Sequence, residues 1–260
     1  MKKTLKWFYL SLVLIFLYAP IVTLMVYSFN AGKTMGKWSG FTFSWYQELF
    51  RDSAIMQALW VTVSIALLAT LFATALGTLA AIGIHNMKRR KRAVVENITY
   101  FPIVSSEIVM GISLMLLFVF LGMRLGYGTM LIAHITFNLP YVIFSVLPKL
   151  RQIPSSQFEA ALDLGAKPGY ALRKVILPQI IPGIVTGAIF AFTLSIDDFV
   201  ISYFTSQDVS NLSMTIYSMA RRGLNPKINA LSTLMFICVL TLLLIVNIRS
   251  IRQERKEIRR

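Results

Sequence analysis

Acidic side chains are scarce in this chain: eleven Asp and Glu stand against 26 Lys and Arg in 260 residues, a net charge of +15 at pH 7. Cysteine is scarcer still. The single Cys238 excludes a disulfide within the chain and argues against dithiol redox chemistry. The two histidines, His85 and His134, fall in different apolar segments, so there is no H-E-x-x-H or Cys/His cluster to hold a metal. A phosphate cradle of the form G-x-x-x-x-G-K-[ST] is also missing. Gly32-Lys33-Thr34 resembles its end, but the first glycine position is Tyr27. Nucleotide hydrolysis, metal catalysis and thiol chemistry therefore have no residues here to perform them.

What the chain has in quantity is apolar surface: 56% of its residues are hydrophobic and the mean hydropathy is +0.67. A helix needs about 20 apolar residues to cross about 30 Å of hydrocarbon. Six stretches qualify, at roughly 7–29, 58–84, 96–121, 128–147, 180–204 and 230–249. The expected fold is all-α, a single polytopic membrane domain over residues 1–260. The first stretch has too long an apolar run, and no clear small-x-small site after it, to read as a cleaved signal; it is expected to remain as an anchor.

The positive charge is placed asymmetrically. Nineteen Lys and Arg lie before span one, between spans two and three, between four and five, and after six; seven lie in the remaining connections. This distribution puts both termini in the cytoplasm. It also makes the lipid bilayer, not nucleic acid, the partner of the basic surface.

The connection between spans four and five is water-compatible; residues 153–183 read "IPSSQFEAALDLGAKPGYALRKVILPQIIPG", with the loop itself at 154–178. Ser156 and Glu159 have capping-box spacing, which predicts a helix start. Phe158, Ala161 and Leu162 give that helix an apolar stripe, and Gly165 suits a left-handed terminating position. Tyr170 to Ile176 form a second amphipathic helix, and Pro178 and Pro182 are expected to bend the chain into span five. Read from physics alone, this hairpin either seals the bundle at the membrane surface or is held by a soluble partner.

The segment "EAALDLGAKPGYALRKVILPQIIPGI" resembles the EAA loop of ABC-importer permeases, the binding-protein-dependent inner-membrane components: Glu159, Ala160, Ala161, Gly165, Leu177 and Pro178 fill its pattern. "YAPIVTLMVYSFN", "EIVMGISLMLLF", "HITFNLPYVI" and "LSIDDFVISYF" extend the likeness over nearly the whole chain, to permeases of the PotC type from spermidine/putrescine importers. The resemblance implies the six-span fold of type I importer permeases in a bacterial cell membrane. It implies an EAA helix docked on a cytoplasmic ABC ATPase dimer, a second homologous permease completing a heterodimer, and an extracytoplasmic polyamine-binding protein. ATP and Mg2+ would be used by the ATPase, and this chain would bind no cofactor and perform no catalysis of its own. An importer of the same architecture for another solute is the nearest alternative; a passive cation channel or membrane scaffold is the alternative from a different class.

Three acids fall inside the expected spans, Glu107, Asp197 and Asp198, where each costs roughly 2.5–3.5 kcal/mol on insertion scales. No Lys or Arg is expected at their depth, so a cationic substrate is the simplest partner, with capping of a broken helix as the plainer role. Adjacent helical residues point about 100° apart, so one of Asp197 and Asp198 is expected to face the path, with a slight preference for Asp198. His134, Asn138 and Tyr141 share one face of span four and either line the path or bond between helices. Tyr203, Phe204 and Tyr217 are candidate cation–π contacts. Two stripes of small residues, Ala69/Ala73/Gly77/Ala81 and Gly183/Gly187/Ala191, permit close helix packing, within the chain more readily than between chains.

Overall fold

A computed structural model of the chain describes residues 3–32, 37–222 and 226–258. Lys2, Lys33, Arg259 and Arg260, which contribute to the charge asymmetry, lie outside the described residues. In chain order the helices are α1 Lys3–Tyr27, α2 Ser44–Arg51, α3 Ser53–His85, α4 Arg89–Val104, α5 Glu107–Phe120, α6 Tyr127–Gln152, α7 Ser155–Asp163, α8 Pro168–Ala171, α9 Leu177–Asp197, α10 Val200–Thr205, α11 Leu212–Arg222 and α12 Pro226–Ile258. A single π turn, Leu172–Ile176, joins α8 to α9. Among the described residues the only β pairing is an isolated bridge between Asn30 and Phe41.

The chain forms two compact units, one of residues 1–57 and 215–260, the other of residues 58–214. In the first, α1 is exposed along nearly its whole length, with Trp7, Phe8, Tyr9, Ile15 and Phe16 all more than 60% accessible. Such a helix is stable only with its apolar surface out of water, which a bilayer provides. The loop after α1 is organised by Asn30. Its Oδ1 accepts from the Ser39 N–H at 2.8 Å, its Nδ2 donates to the Lys37 carbonyl at 2.9 Å, and its own carbonyl accepts from Trp45 Nε1 at 2.7 Å. Lys227 of α12 pairs with Glu48 and Asp52 at 3.3 and 3.7 Å, pinning α2 to α12.

In the second unit, α6 is the central element and both small-residue stripes close on it. A Cβ added to Gly77 of α3 would sit 2.7 Å from Val142 Cγ1. One at Gly183 of α9 would sit 2.8 Å from the Ser145 carbonyl, and one at Gly187 would sit 3.0 Å from Val142 Cα. Ala69, Ala73, Ala81 and Ala191 are fully buried. The stripes therefore seat α3 and α9 against α6 of the same chain. Val142, Ile143, Val146, Leu147, Ile176 and Ile180 fill the shared core.

Three expectations are corrected. The third span is not one helix: α4 and α5 meet at a 106° bend. Pro102 lacks the N–H that would bond the Ile98 carbonyl, and Ser105 and Ser106 are both extended at ψ 150° and 137°. Glu107 thus opens α5 instead of sitting mid-helix. The fifth span is interrupted at Asp198, which is extended at ψ 125°. At its other end the helix does not break at Pro178. Residues 168–197 run as one helix because the π turn, with the Leu177 N–H bonded to the Leu172 carbonyl, makes room ahead of the proline. Among the described residues four helices are long and apolar enough to cross a membrane, up to five if the bent pair is one span, and α12 adds the apolar stretch Pro226–Thr241.

Candidate functional site

Both helix interruptions lie in the second unit, and each carries an exposed carboxylate. Glu107 is the first residue of α5 and Asp197 the last of α9; both are exposed. They lie within electrostatic reach of one another, and Glu107 also reaches Tyr141. α5 packs on α10, with Phe204 against Gly111, where a Cβ would meet the ring at 3.0 Å. Among the described residues neither Glu107 nor Asp197 forms a salt bridge.

Asp198 is placed oppositely, which reverses the slight preference drawn from the sequence. It is 8% accessible and its carboxylate accepts the Ile201 and Ser202 N–H groups at 3.2 and 2.8 Å and the Ser202 hydroxyl at 2.8 Å. His134 lies beneath it, Nε2 at 2.9 Å from Ser202 Oγ and 3.4 Å from Asp198 Oδ2, Nδ1 at 3.1 Å from Ser195 Oγ. Ser202 has given its one proton to Asp198, so Nε2 is the donor in its bond with Ser202. Asn138 Nδ2 donates to Ser195 at 2.9 Å, and Asn211 Nδ2 donates to Ser202 and to the Asp198 carbonyl, each at 2.8 Å. His134 and Asn138 are accordingly buried inter-helix bonders within this chain. Tyr141 is half-buried and packs its ring on Phe137. Tyr203 is half-exposed between Phe199 and Phe204. Tyr217, in the other unit, has its ring 5.9 Å from the guanidinium carbon of Arg221, so a cation of its own chain already stands over it.

Sequence reasoning missed Ser195, Ser202 and Asn211. Two of them carry a local signal: positions 195, 198 and 202 are spaced three and four apart, which on a turn of helix is one face. Asn211 has no such signal.

The water-compatible hairpin forms the second candidate surface. α7 ends in a Schellman motif: the Ala166 N–H bonds the Ala161 carbonyl at 3.1 Å, the Gly165 N–H bonds the Leu162 carbonyl at 2.8 Å, and Gly165 has φ +85°. The capping box is not formed. The helix begins two residues earlier, at Ser155, with the extended Pro154 as N-cap and no side-chain cap. Phe158 tucks into the core beside Ile84 and Ile176, and Gln179 Nε2 donates to Gln157 Oε1 at 2.8 Å, tying α7 to the start of span five. Glu159, Ala160, Gly165 and Pro178 are exposed, and Ala161 and Leu177 partly so. Leu164, not singled out from the sequence, is 90% accessible at the tip. An apolar residue in a stretch of small and polar ones was its only signal.

A family model for binding-protein-dependent transport system inner membrane components matches residues 73–251. The chain is 37% identical over 238 residues to the spermidine/putrescine transport system permease protein PotC of Haemophilus influenzae, covering 91% of this chain and 93% of that protein. It is 40% identical over 229 residues to the putrescine transport system permease protein PotI of Escherichia coli K12, covering 84% and 81%. A chain of a bacterial ABC transporter involved in the import of the acidic polysaccharide alginate matches it with TM-score 0.74 at 20% identity, over 96% of this chain and 92% of that one. A chain of the inward-facing MetNI methionine ABC transporter matches with TM-score 0.64 at 18% identity, over 76% and 94%. At those identities the solved structures speak to the fold alone.

Proposed function

The chain belongs to the binding-protein-dependent transport system inner membrane components, and from that premise we propose that it is the permease subunit of an ATP-driven polyamine importer. One observation carries the substrate class: Glu107 and Asp197 stand exposed at two helix interruptions, within electrostatic reach of one another, with no salt bridge to either among the described residues. The helix ends do not account for them. The start of α5 stabilises a carboxylate by about 0.3–1 kcal/mol, less than the roughly 2.5–3.5 kcal/mol that an acid costs deep in a membrane. Asp197 lies at the negative end of α9, where the dipole works against it. A mobile polycation offsets both charges, and interrupted helices are where transporters place such sites. The names of the PotC and PotI relatives support polyamine as that cation.

The rest of the machine follows from the family. A second, homologous permease completes the path as a heterodimer, and a binding protein delivers the polyamine from outside. A cytoplasmic ATPase dimer, using ATP and Mg2+, docks on the hairpin of residues 154–178. In this reading both termini are cytoplasmic, the protein sits in the bacterial cell membrane, and α7 is the contact helix. Leu164 provides its apolar anchor, Ala160 and Ala161 allow close approach, and Glu159 faces the partner's basic groups. ATP binding closes the ATPase dimer, shifts α7 and turns the cavity outward; hydrolysis returns it. A separate cavity of about 530 Å3, lined by His85, Phe158, Glu159 and Leu172 among others, lies beside α7. Uptake of labelled spermidine and putrescine by the reconstituted complex, with amino acids and sugars as competitors, tests the proposal. Saturable, ATP-dependent uptake displaced by polyamines is expected; displacement by another solute class would overturn the substrate, and uptake without ATP would overturn the mechanism.

A further inference from the structure

The exposed and buried halves of the span-five interruption are built from neighbouring residues with different tasks. In a continuous helix, Asp197 and Asp198 would point about 100° apart, so only one of them could face the path. Here Asp198 is extended, α9 ends at Asp197, and the chain restarts as α10. Asp198 bonds the first-turn N–H groups of α10 from the residue before its N-cap Phe199. The hydroxyl of Ser202 bridges Asp198, His134 and Asn211, and Asn211 closes back on the Asp198 carbonyl. His134 then joins this cluster to Ser195 on α9, and Asn138 bonds the same serine. One buried network therefore holds the last turn of α9, the first turn of α10 and the middle of α6. Nothing in it is open to a passing solute: His134, Asn138, Ser195, Ser202 and Asn211 are all 2% accessible or less.

We propose that Asp198, with His134 and Ser202, is a pin that fixes the interruption of span five and so holds the Asp197 carboxylate at the open face; Asp198 positions the cargo-binding acid and does not touch the cargo. The identity of the cargo rests on the polyamine reading; the pin itself does not. Three acceptor positions on Asp198 are filled from within the chain, which leaves its charge screened. Asp197 spends none of its carboxylate on any described salt bridge and remains available.

The test separates the two roles in the assembled complex. In a Cys238→Ala background, Asp197→Cys is labelled with a cationic methanethiosulfonate, alone and combined with Asp198→Asn or Asp198→Ala. Spermidine uptake is measured for each position-198 variant with Asp197 intact. Asn keeps one acceptor oxygen for the Ser202 N–H and hydroxyl, so Asp198→Asn should keep labelling within about twofold and the spermidine KM within about threefold. Asp198→Ala removes the acceptor and should slow labelling and uptake by at least about tenfold. If Asp198→Ala does not assemble, Ser202→Ala opens the same network and should slow labelling likewise; unchanged labelling in whichever variant assembles overturns the pin. Loss of uptake in Asp198→Asn with labelling at position 197 unchanged would make Asp198 a cargo contact and also overturn it. If Asp197→Asn imports spermidine at the parental rate while labelling still depends on Asp198, the polyamine path fails and the pin stands.

Discussion

Span five is finished differently at its two ends. Toward the hairpin, the shape is made by backbone: a Schellman closure, one glycine at φ +85°, a π turn ahead of Pro178, and side chains that mostly face outward. At the interruption, the shape is made by buried side chains, with Asp198, His134, Ser195, Ser202 and Asn211 bonded to one another and to main chain. The first construction leaves a surface free to meet a partner and tolerates change except where φ is positive. The second leaves little surface, so its residues answer to one another, and only the acid left out of the network is free to meet a solute.

The sharpest way to break this comparison is at Gly165. A Cβ there meets nothing within 4 Å, so any defect comes from the left-handed backbone or from an absent partner. A non-glycine residue in that conformation costs about 1–2 kcal/mol, less for Asn. Gly165→Asp and Gly165→Asn should both insert normally. ATPase stimulation should be abolished in Gly165→Asp, and also in Gly165→Asn if the surface is a contact; full stimulation in both would remove the hairpin from coupling.

At the other end, Asp197→Asn and Glu107→Gln should each lower initial spermidine uptake. Opposite charges 4 Å apart attract by about 4 kcal/mol at an effective dielectric of 20, before desolvation is subtracted. A net loss of about 1.5–3 kcal/mol, or roughly tenfold to a hundredfold in KM, is expected for a charge-assisted contact. The loss should be larger for spermidine than for a singly charged amine, and equal losses for both would argue against paired recognition.

Leu164→Ser should weaken ATPase association by about 2 kcal/mol, the scale of an interfacial anchor, without changing membrane yield. Co-purification of the ATPase across a detergent titration reads this directly. The smallest effect belongs to Ser156→Ala. Because α7 starts at Ser155 with no side-chain cap, removing the Ser156 hydroxyl should change stability and uptake by no more than about 0.5 kcal/mol. A larger loss in thermal unfolding would restore the capping box.

Much of this was legible in the residues. The apolar runs that become α1, α3, α6 and α9 are set by hydropathy, a property of consecutive residues. Gly165 was readable as a helix terminator because a positive φ selects glycine locally. The small-residue stripes were readable as packing faces, and α6 supplies their partner within the chain. The break before Glu107 was written in the Pro102 and Ser105-Ser106 pair but concealed by the apolar residues around it, which read as one span.

Sequence by itself determined that the chain crosses a membrane, where its polar hairpin falls and that three acids sit among apolar residues, since each depends only on neighbours along the chain. Which of two adjacent aspartates faces outward was decided by tertiary structure. The residues that claim Asp198 include His134 and Asn211, 64 positions before it and 13 after, brought together by the folding of α6, α9 and α10. The 100° argument presumes an unbroken helix, whereas here the helix breaks at an extended Asp198 whose buried carboxylate is satisfied by bonds that no continuous-helix reading of neighbours contains.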